Sequence, residues 1–433
     1  MAGSSGLNAD GSVLQIVIKR TNFYYEKTVP DERPEGHDSG ANMKASSATA
    51  LAALKIARRV GFERLVRPKA RRGCDVPCSP AAITTEWLTA VLCEKVHGAV
   101  VTQVEIKPAS AGTHERHRLV LAYNETGRRA GLPSSLFTKS LPSVVTRMIG
   151  GFNGTARAEG RFYMQLRPQL KIEAPVGYHA AFDPKTLASI LLLEDLVAAK
   201  AATFCNHKTY VTRAMAEEMM DLLAQLHVRF YGDCALATRY GWVAPYARWF
   251  TIGAEKMDLE RYTRKAFDAA SHVIPQSVLA RRGNVWPAAI RALAVHESGP
   301  QGLLHSDVHI GNWYRTGNGQ MGLCDWQCLS RGHWSRDVAY AVTAALTPAD
   351  RRIWEKDLLA CYLERFAALT GAKPDFEESF RNYRQQIVHA LLMWTITLCH
   401  SPLLPNMQSA ETTLTMIERI TTAMADLDAL EAA

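Results

Sequence analysis

The chain has 433 residues, a formal net charge of +8 and 47% hydrophobic residues, enough to bury a large core without disulfides. Its nine scattered cysteines therefore indicate free thiols in a reducing compartment. No apolar run reaches the roughly 18 residues of a membrane span, and the start lacks a secretory signal pattern, which predicts a soluble, cytoplasmic protein without a membrane partner.

The positive charge is concentrated in one segment near the start of the chain. From Lys44 to Arg72 there are nine Lys or Arg residues against the single acid Glu63, which accounts for the whole excess. The rest is balanced, so we expect no nucleic-acid partner. Residues 1–79 are predicted to be a poorly ordered or basic helical extension. The composition after Met43 also resembles a transit peptide, which leaves organelle targeting as an alternative.

The elements that follow predict a small antiparallel sheet and then a helical region. A helix start with hydroxyl caps lies at Thr84–Leu88. Strand-like runs lie at 100–106, 118–123, 135–139 and 188–193. A helical segment is expected near 155–170, before the last of these strands. Beyond Lys208 helical segments are expected near 208–232, 254–271, 349–370, 376–400 and 408–430. This order predicts an α+β fold with an N-lobe at 80–196 and a helical C-lobe at 197–433.

One interruption of the helical region looks like sheet. Between Gly302 and Gln327, two short apolar runs flank the sequence Thr-Gly-Asn-Gly at 316–319, which is a hairpin signal. Residues 317–322 also match a dinucleotide-binding fingerprint formally, but a strand follows where that fingerprint requires a helix. The segment is therefore interpreted as a hairpin turn.

Three polar residues around this hairpin carry the chemistry. Asp307 is followed five residues later by the amide of Asn312, and Asp325 ends the next strand. These are the groups required for metal-assisted phosphoryl transfer: Asp307 would accept or orient the proton of an attacking hydroxyl, while Asn312 and Asp325 would hold Mg²⁺. Structural alternatives remain for each, namely a turn cap for Asp307, a left-handed loop position for Asn312 and an ion pair with Arg336 for Asp325.

An alternative interpretation of the same loop is a zinc site. His305, Asp307 and His309 alternate along the chain and would converge on a metal if the loop were a strand, as in a zinc-dependent hydrolase. No further ligand cluster is evident in the sequence. His305 is instead expected to bond the loop backbone, and His309 to support the loop or the substrate side.

The chain resembles the aminoglycoside phosphotransferase and choline kinase-like superfamily, including bacterial relatives of ecdysteroid kinases. The motifs that carry the resemblance are His305-Ser306-Asp307 with Asn312, followed by Asp325-Trp326-Gln327. The resemblance covers roughly residues 80–425 and implies a two-lobed, protein-kinase-like fold. Ser306 stands where that superfamily usually has glycine, and a serine resists positive φ angles.

The resemblance also implies a site for ATP. Lys139 would hold the α- and β-phosphates and Glu159 would pair with Lys139. Two further sets of residues would bind the nucleotide, namely the phosphate-covering loop with Gly112 and Thr113, and the hinge with Glu194 and Leu196. Asp337 would tie the catalytic loop to the following helix. His227 is expected to be a core histidine.

The predicted activity is transfer of the γ-phosphate of ATP, with Mg²⁺, to a hydroxyl of a small molecule. A polycationic acceptor would favour an acid-rich C-lobe, but residues 331–433 have only a mild excess of acidic residues. We therefore expect a weakly charged acceptor, such as a sterol-like alcohol, a hydroxyacyl thioester or a sugar. The alternative is a catalytically silent nucleotide-binding scaffold, which the presence of Lys139, Asp307, Asn312 and Asp325 disfavours.

Overall fold

The computed structural model describes residues 54–110, 114–141, 143–152, 154–401 and 406–433. Gly112 and Thr113 of the expected phosphate-covering loop lie outside these residues. The chain divides into two compact units, Met1–Gly160 with Gly177–Glu194 and Arg161–Val176 with Asp195–Ala433. It thus changes unit at Glu194, near the predicted lobe boundary. Residues Arg161–Val176, which are predicted to lie in the N-lobe, group with the second unit.

The first unit contains a five-stranded sheet. Its strands are β1 Val101–Ser110, β2 Glu115–Tyr123, β3 Ser135–Ser140, β4 Gly177–Phe182 and β5 Ser189–Glu194. Their order across the sheet is β1-β2-β3-β5-β4, and all neighbours are antiparallel. Four of the strands fall on the predicted runs. β4 was not predicted, because its residues are mostly half-buried and show no apolar alternation.

Short helices accompany this sheet, at Thr85–Leu92, Glu125–Arg129, Val144–Phe152 and Thr155–Arg161. The first begins where the sequence predicts, since the Thr84 hydroxyl accepts a hydrogen bond from the Trp87 backbone N–H over 3.1 Å. Trp87 and Leu88 are fully buried in a cluster with Leu119 and Leu136 of the sheet. The core of this unit therefore lies between the first helix and one face of the sheet.

Part of the basic extension is folded into the first unit. Residues 54–66 form a helix whose Ile56 and Val60 are buried with Met148 and Leu187. Glu63, the single acid of the basic segment, pairs with the Arg147 guanidinium at 2.7 Å. The helix is held by an apolar contact on one face and by a partly buried ion pair.

The second unit is mainly helical. Its longer helices are Arg213–Val228, Tyr246–Met257, Leu259–Ala269, Val285–Ala292, Ser335–Ala345, Pro348–Thr370, Phe376–Leu398 and Ala410–Asp426. Shorter ones are Leu196–Lys200, Gln276–Ala280 and Ala429–Ala432, and a π-helical turn covers Phe162–Leu166. The predicted α+β fold, with a small antiparallel sheet and a larger helical part, is confirmed. Among the described residues, no helix is both long enough and apolar enough to cross a bilayer.

The helix Ser335–Ala345 is the centre of the second unit. Every one of its residues is buried, including Arg336 and Asp337, and it packs against Phe376–Leu398. A helix without an exposed face has no amphipathic period, so periodicity gave no sign of it. Its burial fixes Arg336 and Asp337 next to the loop that precedes it.

The predicted hairpin is present. Strands β8 Trp313–Arg315 and β9 Met321–Leu323 are antiparallel, with Trp313 opposite Leu323, and β6 Thr203–Phe204 extends the sheet beside β8. Gly319 in the turn has a φ of 95°, which a glycine adopts without strain. The apolar run at Gly302–Leu304 is a separate strand, β7, which pairs with β10 Ser330–Gly332.

Candidate active site

The loop between β7 and β8 brings Asp307 and Asn312 into contact. The Asn312 side-chain N–H₂ donates to the Asp307 backbone carbonyl over 2.7 Å and to Asp307 Oδ2 over 3.2 Å. Asn312 is buried and Asp307 retains 15% side-chain exposure. The carboxylate is therefore oriented by the amide while still open to solvent.

The hairpin brings the residue before Asp325 to the same place. The Cys324 backbone N–H donates to the Asn312 carbonyl over 2.9 Å, which extends the β8–β9 pairing by one step. Asp325 follows directly, with a left-handed φ of 64°. An aspartate tolerates this region better than most residues, and the turn of the chain here ends β9.

His305 joins the two segments through the backbone. Its Nε2 donates to the Cys324 carbonyl over 2.9 Å and its Nδ1 accepts from the Asp307 N–H over 3.2 Å. Burial lowers the pKa of His305, which favours the neutral ring, and the two backbone contacts select the tautomer with its proton on Nε2. Both ring nitrogens are thus used by the backbone, as expected, and neither is left for zinc. Within the described ranges, no group of three His, Cys, Asp or Glu side chains could hold a metal ion.

Trp326, the aromatic residue after Asp325, is clamped between two rings. Phe162 stacks on it with centroids 4.0 Å apart and planes 12° apart, and His305 meets it edge-on at 4.6 Å. Trp326 is fully buried. The stack holds the backbone next to Asp325, and no sequence signal indicates Phe162 in this place.

Asp337 ties the loop to the buried helix, the role that the superfamily resemblance implies. Its Oδ2 accepts from the His305 N–H over 2.7 Å and its Oδ1 from the Ser306 N–H over 3.0 Å. His227, which is fully buried as expected, lies 3.3 Å from Oδ2. Burial alone would raise the pKa of Asp337, but the hydrogen bond and charge of His227, with the nearby Arg336, hold it below its usual value.

Ser306 adopts the positive φ that a glycine would adopt, at 66°. Its hydroxyl lies 2.6 Å from that of Ser330, and both residues are buried. Arg336 donates from Nη2 to the Ser306 carbonyl over 3.2 Å. Its guanidinium also lies over the rings of Tyr246 and Tyr340.

Two further side chains approach the Asp307 carboxylate. Tyr340 donates its hydroxyl to Oδ1 over 3.3 Å, and burial with the charge of Asp307 raises its pKa well above the usual value, which keeps the phenol protonated. His309 accepts from the Gly311 N–H at Nδ1 over 3.1 Å and lies with Nε2 3.9 Å from Oδ2. The sequence assigned no role to Tyr340, although it stands three residues after Asp337, on the same face of a helix.

The first unit contains the expected lysine–glutamate pair. Lys139 Nζ lies 3.0 Å from Glu159 Oε1 and 2.9 Å from Oε2, with side-chain exposures of 5% and 2%. Lys139 stands on β3 opposite Leu191 of β5, and Glu159 is on the helix Thr155–Arg161. The two residues, twenty positions apart in sequence, therefore form a buried ion pair.

Of the residues expected in the hinge, Glu194 is the last residue of β5, and Leu196 is the first of the helix Leu196–Lys200. The Leu196 carbonyl accepts from the Ala202 N–H over 3.1 Å. Asp195 between them caps the helix by accepting from the Ala198 N–H over 3.3 Å.

A family model described as the phosphotransferase enzyme family matches residues 145–377, more than half of the 433-residue chain, and the chain belongs to that family. The resemblance found in the sequence is thereby confirmed. No curated relative matches the chain in sequence.

Several solved structures are similar over most of their length. A macrolide 2'-phosphotransferase from Brachybacterium faecium is 13% identical, with 72% of this chain and 92% of that chain covered and a TM-score of 0.41. A choline kinase from Cryptosporidium parvum Iowa II is 11% identical, with 75% and 91% covered and a TM-score of 0.45. A choline kinase from Streptococcus pneumoniae is 12% identical, with 75% and 95% covered and a TM-score of 0.41.

Proposed function

We propose that the protein transfers the γ-phosphate of ATP to a hydroxyl group of a small molecule, with Asp307 as the catalytic base. Family membership supports a small-molecule phosphotransferase. The contact of Asn312 with both the carbonyl and the carboxylate of Asp307 is the observation that carries the assignment of the site. This contact orients the partly exposed Asp307 carboxylate beside the Asn312 amide. The backbone of the loop is itself held by hydrogen bonds to the side chains of His305 and Asp337.

Asp307 is suited to orient an acceptor hydroxyl and to take its proton. Tyr340 occupies Oδ1 and Asn312 approaches Oδ2, so the carboxylate is held in one rotamer. A base that is already oriented loses little entropy when the acceptor binds, and general-base catalysis of this kind contributes roughly 10²–10⁴-fold.

The residues around the hairpin fit Mg²⁺. Because Asn312 uses its N–H₂ group toward Asp307, its amide oxygen is the atom left for a cation. The carboxylate of Asp325 supplies a second hard oxygen donor, the type that Mg²⁺ prefers. When bound, the ion would neutralise phosphate charge, while the protein holds Asn312 and Asp325 through the Cys324–Asn312 backbone bond.

Lys139 is the proposed ligand of the α- and β-phosphates. A buried ammonium group held by both oxygens of Glu159 points in a fixed direction. A phosphate group can approach such a cation without first ordering a flexible side chain. The acceptor is proposed to be a weakly charged molecule with a free hydroxyl, such as a sterol-like alcohol, a hydroxyacyl thioester or a sugar.

The test is a screen of hydroxyl-bearing metabolites and antibiotics for ATP consumption, run with the parent protein, Asp307→Ala and Asp357→Ala. Asp357 is an exposed aspartate on the helix Pro348–Thr370 and serves as the matched control. We expect Asp307→Ala to lose phosphorylation by about 10²-fold or more and to keep nucleotide binding, while Asp357→Ala behaves as the parent.

Three results would contradict the proposal. Equal turnover by Asp307→Ala and the parent would show that Asp307 is not the catalytic base. Nucleotide binding without turnover of any acceptor by the parent favours the silent scaffold instead, and stoichiometric zinc in the purified protein would revive the hydrolase interpretation.

A further inference from the structure

The helix at residues 54–66 has two apolar faces, of which one is used within the protein. Ile56 and Val60 are buried against Met148 and Leu187. The opposite side carries large apolar side chains with high exposure, namely Leu54 at 56%, Phe62 at 65%, Leu65 at 82% and Val66 at 53%. Single exposed apolar residues are common on proteins, whereas a patch of four within thirteen residues is typical of an interaction site.

Cationic side chains surround this patch. Lys55, Arg58 and Arg64 are exposed on the helix, and Arg67 and Lys69 continue the series beyond its end. The one acid of the segment, Glu63, is taken up by Arg147 on the protein side. The exposed side of the helix therefore combines apolar bulk with positive charge and has no compensating carboxylate of its own.

We propose that this helix docks the protein onto the surface of a bilayer that contains anionic lipids. In a helix lying in the plane of the interface, apolar side chains enter the boundary between headgroups and acyl chains while Lys and Arg bind the lipid phosphates. Leu54, Phe62 and Leu65 supply the first group and Arg58 and Arg64 the second. The buried contacts of Ile56 and Val60 fix the helix, so docking requires no unfolding.

The apolar side chains decide between a membrane and other anionic partners. A nucleic acid offers phosphates to Arg58 and Arg64 but no apolar layer to cover Leu54 and Leu65. The positive charge of the basic segment would be enough to bind a nucleic acid, and exposed leucines would add nothing to that binding. The proposal departs from the sequence-based expectation of no membrane partner, which concerned a spanning segment.

The experiment measures cosedimentation of the full chain with vesicles. One set is made of phosphatidylcholine and the other of phosphatidylcholine mixed with phosphatidylserine, each at low and high salt. We expect binding to the mixed vesicles only, weakened by salt because the phosphate contacts are screened. Arg58→Glu with Arg64→Glu should weaken binding by more than about 25-fold, since each neutralised cation alone is worth about fivefold.

Matched variants separate insertion from charge. Phe62→Ser with Leu65→Ser should abolish sedimentation at high salt, whereas Ile353→Ser, at a similarly exposed site on Pro348–Thr370, should have no effect. Arg381→Glu is the charge control, because Arg381 is also exposed on a helix. Thermal unfolding of each variant should match the parent, because all these side chains lie on the surface.

Three outcomes overturn the proposal. Equal binding to the two vesicle types removes the electrostatic component, and unchanged binding by Phe62→Ser with Leu65→Ser removes insertion. Lack of vesicle binding by the folded parent shows that the patch serves another partner, such as an acidic protein. Phosphotransfer measured without vesicles should be the same in all variants, so the outcome is independent of the proposed activity.

Discussion

Ser306 and Ser330 share a hydrogen bond between their hydroxyls, 2.6 Å apart, while Ser306 holds a left-handed backbone with a φ of 66°. The left-handed region costs a residue with a Cβ about 1–2 kcal/mol. That cost is offset by groups around the loop, since Asp337 accepts from the Ser306 N–H and Arg336 donates to the Ser306 carbonyl. The loop before Asp307 is thus held in a strained conformation by side chains that follow it in sequence.

Ser306→Ala should destabilise the protein by about 1–3 kcal/mol. The alanine keeps the backbone strain and leaves the buried Ser330 hydroxyl without this partner. Ser306→Gly loses the same hydrogen bond but removes the strain, so it should be more stable than Ser306→Ala by about 1 kcal/mol. Urea unfolding of the three proteins measures the order.

Ser330→Ala provides the second arm of a double-mutant cycle. If the hydroxyls act as a pair, Ser306→Ala with Ser330→Ala should lose less stability than the sum of the losses in the two single variants. An alanine variant at 306 that is as stable as the parent would show that the shared hydrogen bond contributes nothing.

Tyr340→Phe should lower kcat by about tenfold and leave KM nearly unchanged. The hydroxyl donates to Asp307 Oδ1, and a hydrogen bond to a charged group contributes roughly 1.5 kcal/mol, about a factor of ten in rate. The phenylalanine keeps the ring beneath the Arg336 guanidinium, so packing is retained. Steady-state kinetics with the acceptor found in the screen would measure the two constants.

Tyr123→Phe is the control for the loss of a buried tyrosine hydroxyl away from the carboxylate. Tyr123 is buried at the end of β2 and donates its hydroxyl to the Pro133 carbonyl over 3.0 Å. A kcat of Tyr340→Phe equal to that of the parent, or a loss matched by Tyr123→Phe, would mean that Tyr340 has no part in positioning Asp307.

The hairpin and the loop around Asp307 were predictable because their signals are local. A Gly-rich turn between two apolar runs specifies β8 and β9, and the spacing of Asp307 and Asn312 is set by one short loop. The pairing of Lys139 with Glu159 was implied by the resemblance alone, since neither residue type nor spacing indicates a contact across twenty residues. The roles of these residues in binding nucleotide and metal stay predictions.

The features that were not predicted depend on tertiary burial. The helix Ser335–Ala345 has polar residues on a fully buried surface, which only the surrounding helices make acceptable. The contacts of Tyr340 with Asp307 and of Phe162 with Trp326 join segments distant in sequence. The helix at 54–66 was assigned to an extension because its composition is basic, while two buried side chains decide where it packs.

Replacing one member of the Lys139–Glu159 pair should destabilise the protein by about 3–5 kcal/mol. Lys139→Met leaves the Glu159 carboxylate buried without its ammonium partner, which costs more than the pair itself contributes. Nucleotide affinity should also fall, since the proposed phosphate ligand is removed. Denaturant unfolding and a nucleotide titration measure the two effects.

The double variant Lys139→Met with Glu159→Gln separates stability from binding. Removing both charges should recover most of the lost stability, while nucleotide affinity stays low. Recovery of nucleotide binding together with stability would show that Lys139 acts only as the structural partner of Glu159.

His333 should make the protein less stable in acid. Burial, followed by the nearby His227, lowers the pKa of His333 from 6.5 to about 4. The unfolded chain therefore binds a proton at a pH where the folded protein does not, so stability is complete above pH 6.5 and falls as the pH drops toward 4. The contribution is about 1.4 kcal/mol per pH unit, or about 3 kcal/mol in all.

The variant that isolates this proton is His333→Asn, which keeps an acceptor for the Ser335 N–H and cannot take up the proton. Unfolding free energies of the parent and the variant, measured by urea at a series of pH values, should run parallel above pH 6.5 and converge or cross below it as the parent weakens. Parallel curves down to pH 4 would show that His333 does not resist protonation in the folded state.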